Sequence, residues 1–132
     1  MSNTTTTITA RVSATIDRDL REFFKARGKG PSEGVRDIIE EFWVGIHFAH
    51  IEFKDSPTGR RAAIRRGPDV WEIISYWREY APDMAGLEEH FGWLEAEALE
   101  EAIEYYEAFP GQVDALILEN ERYGQYLMRT FG

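Results

Sequence analysis

The segment TITARVSATID, residues 7–17, alternates apolar and polar side chains at the period of a β-strand. Its apolar side carries Val12, Ala14 and Ile16 and its other side Arg11, Ser13 and Thr15, because successive strand residues face opposite ways. Two helices are expected directly after it. Asp17 is a suitable N-cap for the first, in which Leu20, Phe23 and Phe24 share one face until ARGKGP stops it near Gly28. Ser32 can cap the second, where Val35, Ile38, Ile39 and Phe42 recur at helical spacing. Strand, helix and helix therefore fill residues 8–43, with nearly all their apolar side chains aimed one way. A unit of that size buries too little surface to stand alone. Pairing two copies cures this: the twin strands form an antiparallel ribbon and the helices close over a shared core.

The outer face of such a ribbon presents Arg11, Ser13 and Thr15 twice, and a two-stranded ribbon fits the major groove of DNA. Residues 8–43 resemble the ribbon-helix-helix family of DNA-binding proteins, most specifically in PSEGVRDIIEEFW, which is similar to the family's second helix. The resemblance implies that Arg11, Ser13 and Thr15 read bases. It also implies that Ser32 opens a helix whose N-terminus grips a phosphate, as exposed amides and the helix dipole allow, with Lys29 nearby as a second phosphate contact. Gly34 stands where a better helix former is expected, at a cost of up to about 1 kcal/mol relative to Ala.

Charge divides the chain. Residues 1–43 hold seven Lys and Arg against seven Asp and Glu, residues 44–67 five against two, and residues 68–132 three against fifteen. Such asymmetry suggests different partners at the two ends. The expected organisation is a disordered lead-in at 1–7, the ribbon-helix-helix module at 8–43, a β-hairpin at 44–67 and an acidic helical partner-binding domain at 68–132. In the hairpin, IHFAHIEF and RRAAI are the strands and KDSPTG the turn. Beyond it, Val70, Ile73, Ile74 and Trp77 mark one helix, broken before Pro82, and GLEEHFG a short second one. Leu94, Ala98, Leu99, Ala102, Ile103 and Tyr106 mark a third; Val113, Leu116, Ile117, Tyr123 and Leu127 mark the last, after Pro110-Gly111. The fold class is α+β and mostly helical.

From the hairpin onward, GRRAAI, DVWEII, LEEHFGWLEAEALEEAIEYY and VDALILENE resemble, over residues 46–121, a family of small bacterial domains commonly assigned as antitoxins, with a helix-turn-helix-like core. That resemblance implies a PIN-like ribonuclease toxin as partner. A second DNA contact through the core is disfavoured, since its helix bears Glu95, Glu97, Glu100, Glu101, Glu104 and Glu107 and phosphates repel it. Glu97, Glu100 and Glu104 form either a solvated face or a docking stripe for a basic protein surface. Trp77 continues a core face, whereas Trp71 lies off it and Trp93 falls at a turn, which makes the latter two candidate partner anchors.

Other chemistries are not expected. His47 and His50, read as strand residues, point to opposite faces with no further histidine or cysteine near, so no metal or cofactor is expected. The glutamates offer no pair of carboxyls in separated environments and there is no phosphate loop, so no enzyme is expected. Absence of cysteine fits a reducing compartment, the Thr-rich start lacks a signal peptide's pattern, and no apolar run approaches the ~20 residues of a membrane span. The expected protein is a cytoplasmic homodimer or higher even oligomer. Three functions fit: a type II antitoxin that represses its own operon, a transcriptional regulator without a toxin whose C-terminal part senses a ligand or builds oligomers, and an assembly protein that does not bind DNA.

Overall fold

The computed structural model describes residues 4–56, 59–80 and 83–131. It is α+β and mostly helical, with six helices and one hairpin among those residues: α1 (Ala14–Ala26), α2 (Pro31–His47), β1 (Ile51–Ser56), β2 (Gly59–Ile64), α3 (Val70–Glu79), α4 (Met84–His90), α5 (Ala96–Ala108) and α6 (Pro110–Phe131). The described residues fall into two compact units that divide between Ile46 and His47.

In the first unit, residues 4–13 have no regular secondary structure and α1 begins at Ala14, earlier than the sequence suggests. Ser13 is the cap, its hydroxyl accepting from the Ile16 N–H at 3.2 Å. Asp17 instead lies in the first turn, where its carboxylate takes the Arg21 Nε–H at 2.9 Å. The reason is local: a strand without a partner leaves its backbone groups to water, while Ser13 satisfies one of the helix's orphan amides. α1 ends as expected, with Gly28 at φ +71° beyond Arg27, the left-handed conformation glycine adopts at little cost. α2 opens on Pro31, whose missing N–H matters least at that position, so Ser32 sits inside the first turn rather than at the cap.

Gly34 is where packing overrules propensity. It is buried, and a Cβ there would lie 2.3 Å from Cγ of Phe24, itself 4 % exposed. The absence of a side chain is what lets the Phe24 ring sit against α2. Gly34→Ala should therefore destabilise, because overpacking of about 1–3 kcal/mol exceeds the gain of up to about 1 kcal/mol in helix propensity. A higher denaturant midpoint for the variant would contradict this packing account.

The second unit has the larger core. α2 runs on to His47, so the first half of IHFAHIEF is helix end and bend rather than strand, and β1 starts only at Ile51. β1 and β2 pair antiparallel, Ile51 opposite Ile64 and Phe53 opposite Ala62; Pro57 and Thr58 of the expected turn lie outside the described residues. Ile51 and Ile64 are buried together with Ile73 and Ile74 of α3, Leu99 of α5 and Val113 of α6. Asp69 precedes α3, and the Glu72 carboxylate accepts from its N–H at 3.4 Å, the return arm of a capping box. In α5 the buried tyrosine is Tyr105, not Tyr106. The Tyr106 hydroxyl donates to Asp114 at 2.8 Å, and Arg78 of α3 reaches the same carboxylate at 3.0 Å, so three helices meet there. Burial in α6 stops at Ile117; Tyr123 and Leu127, expected on its core face, are exposed. No helix of the described residues is long and apolar enough to cross a membrane.

Candidate functional site

The residues singled out for DNA lie in the first unit. Arg11 is exposed in the segment before α1. Ser13 and Thr15 do not share a strand face with it: Ser13 is the helix cap and Thr15 lies in the first turn. The Lys29 ammonium contacts the Asp37 carboxylate and is about one-third exposed, and Ser32 shares the first turn of α2 with Glu33. Glu33 suits the dipole of that helix end but competes with any phosphate approaching it.

Around them the apolar surface is largely uncovered. Phe24 and Val44 are buried, while Ile8, Val12, Ile16, Phe23, Val35, Ile38, Ile39, Phe42 and Ile46 are exposed, Phe42 at 70 % and Ile46 at 71 %. Val35, Ile38, Ile39, Phe42 and Ile46 recur at the spacing of one helix face. Solitary exposed apolar residues are ordinary; a whole stripe of them marks an interaction surface.

In the second unit the glutamates of α5 separate into two groups. Glu97, Glu100, Glu104 and Glu107 are exposed, as a docking stripe or a solvated face requires. Glu101 turns inward instead. Its side chain is 15 % exposed and its carboxylate accepts from the Ala49 N–H at 2.6 Å and the His50 N–H at 3.0 Å, while Nδ1 of His50 meets the same group. The other ring nitrogen of His50, Nε2, lies 3.0 Å from Glu95. His50 thus sits in the bend before β1, clamped between the carboxylates of Glu95, the cap residue of α5, and Glu101, within that helix. The hydrogen bond to Glu101 is the main cause that raises its pKa above 6.5, with Glu95 adding to it and burial opposing.

The sequence leads one to expect no further histidine or cysteine near His50; the residues that do meet it are carboxylates, Glu95 and Glu101. The strand expected at His47 and His50 does not form there, and these partners come from 45 and 51 residues away. Ligand atoms of His50, Glu95 and Glu97 lie within 4.8 Å of one another. His47, at the end of α2, is not among them. Nothing in a single sequence signals such a pairing beyond the presence of both residue types.

The tryptophans differ. Trp71 is half-buried and its indole N–H donates to Asp69 at 3.1 Å; Arg61 of β2 lies 3.3 Å from the same carboxylate oxygen. Trp93, in the turn after α4, is 66 % exposed. Trp77 is half-buried.

The fold thus defines an α+β, mostly helical protein with a two-stranded antiparallel hairpin and an uncovered helical face. Comparison with protein-family models, curated proteins and solved structures gave no match.

Proposed function

We propose that the protein is a dimeric, DNA-binding repressor of the ribbon-helix-helix type that acts as an antitoxin. The observation that carries this reading is the uncovered apolar stripe of α1 and α2, preceded by the exposed segment bearing Arg11. A second copy is the fitting cover: the stripe belongs to a unit in which two large apolar residues are buried among those described, and joining two such units supplies the core that one lacks.

Dimerisation also accounts for the start of α1. Thr15 and Ile16 are β-branched, which makes this turn the least helix-favouring part of α1. In the dimer these residues leave the helix and pair with their twins, and Asp17 takes over as cap. Arg11, Ser13 and Thr15 then share the outer face of the ribbon and enter the major groove. Ser32 and Lys29 approach the flanking phosphates.

The acidic half sets the partner. Residues 68–132 hold fifteen acidic against three basic residues, which opposes binding to DNA. A basic protein docked on Glu97, Glu100 and Glu104, with Trp71 and Trp93 as anchors, neutralises that field and strengthens repression. A ribonuclease has the basic surface this calls for. Co-expression with the neighbouring gene should co-purify such a partner. Changing Glu97, Glu100 and Glu104 together to Gln should weaken its capture tenfold or more while improving binding of the free protein to DNA. Undiminished capture by the triple variant, measured by calorimetry, would reduce the stripe to a solvated face. A regulator without a toxin, or an assembly protein that uses unit one only to dimerise, would then be favoured.

A further inference from the structure

We propose that His50, Glu95 and Glu97 form a site for a divalent transition-metal ion, Zn²⁺ foremost, with Glu101 holding the imidazole in position. The inference is independent of the DNA-binding reading and rests on how the histidine is held. Metal-binding imidazoles usually give their second ring N–H to a carboxylate, which fixes the ring and makes the ligating nitrogen more basic. Glu101 does this for His50. It contacts Nδ1 and, through the Ala49 and His50 N–H groups, holds the backbone that carries the ring. Nε2 is thereby aimed at Glu95, 3.0 Å away.

The carboxylates supply the remaining ligands. Donor atoms of His50, Glu95 and Glu97 fall within 4.8 Å of one another, whereas ligands about 2.0–2.2 Å from a common zinc ion stand roughly 3–4 Å apart. The required contraction is small, and Glu95 and Glu97 are exposed side chains free to swing. Three carboxylates around one imidazole leave an excess of negative charge, which outweighs the partial charge of about +0.5 at the start of α5. One nitrogen and two carboxylate oxygens suit zinc and its neighbours better than magnesium or calcium, which favour all-oxygen shells. Three protein ligands leave a position for water.

Occupancy would tie the bend before β1 to the first turn of α5, joining segments 45 residues apart in sequence. It would also withdraw Glu97 from the acidic stripe.

The test is calorimetry on the full-length, tag-free protein at neutral pH, titrated with Zn²⁺ and separately with Mg²⁺. One Zn²⁺ per chain should bind, with Mg²⁺ at least tenfold weaker. His50→Gln and Glu97→Gln should each lose tenfold or more in Zn²⁺ affinity, and Glu88→Gln, exposed on α4, should match the parent. Glu97 is exposed, so its variant keeps the fold and remains decisive. The proposal is overturned if the parent shows no saturable Zn²⁺ binding. It is equally overturned if His50→Gln and Glu97→Gln bind as the parent does, in which case the cluster is an ion pair on an acidic surface.

Discussion

At micromolar concentration the full chain should sediment at twice its 15.3 kDa mass, and a variant carrying Ile38→Glu and Phe42→Glu should sediment as a single chain. Both side chains lie on the α2 stripe, Ile38 at 44 % and Phe42 at 70 % exposed. Covering a large apolar side chain is worth about 1.5–3 kcal/mol, and a carboxylate placed there must shed water without a partner. A loss of only about 3 kcal/mol per dimer raises the dissociation constant more than a hundredfold. The second unit has its own core, so far-ultraviolet circular dichroism of the variant should keep most of its helical signal. A parent chain that sediments as a folded monomer would remove the basis of the ribbon.

Glu101→Ala should cost about 2–4 kcal/mol of stability, because hydrogen bonds to a charged group contribute about 1.5–3 kcal/mol each and the variant leaves the half-buried His50 without this partner. Ala replacements at Glu97, Glu100 and Glu104 should stay within about 0.5 kcal/mol of the parent, since these side chains are exposed. The pH profile separates the two kinds of glutamate further. His50 has a raised pKa in the folded protein, caused first by Glu101. The folded state therefore binds its proton more tightly than the unfolded state does. The resulting stabilisation is fully present below the unfolded value of about 6.5 and is lost as pH rises through the folded value. In buffer containing a chelator, the unfolding midpoint of the parent should fall across that window, and Glu101→Ala should flatten the fall. An unchanged profile would mean that Glu101 does not hold His50 in solution.

Glu101 also shows where sequence reading stops. Its neighbours Glu97, Glu100 and Glu104 share its residue type and its helix, and nothing local distinguishes the one that turns inward. The distinction comes from the bend at Ala49 and His50, whose N–H groups meet Glu101 from 52 and 51 residues away in sequence. Contacts formed locally were more readable. α3 and the start of α6 follow the spacing of Ile73, Ile74, Val113 and Ile117, and β2 covers the expected RRAAI, with Gly59 and, on β1, Lys54 to Ser56 added from the expected turn. IHFAHIEF misled because a short apolar run serves equally as strand or helix end, and here α2 claims its first two residues. Gly34 misled in the opposite direction: propensity marks it as a defect, while the Phe24 ring above it requires it. At Ser13 and Asp17 the question is which cap is in use, and the answer depends on whether the strand before them has a partner.

Fluorescence anisotropy with the duplex immediately upstream of the gene, compared with a scrambled duplex of equal length over a series of salt concentrations, shows whether the ribbon reads DNA. The dimer should prefer the upstream sequence, with affinity falling as salt rises, because phosphate contacts release counterions. Arg11→Ala should lose about 1–3 kcal/mol per specific contact on the upstream duplex and little on the scrambled one. Lys29→Ala should weaken both alike. If parent and Arg11→Ala bind the two duplexes equally, or neither binds at any salt concentration, the ribbon does not read DNA and the account is contradicted.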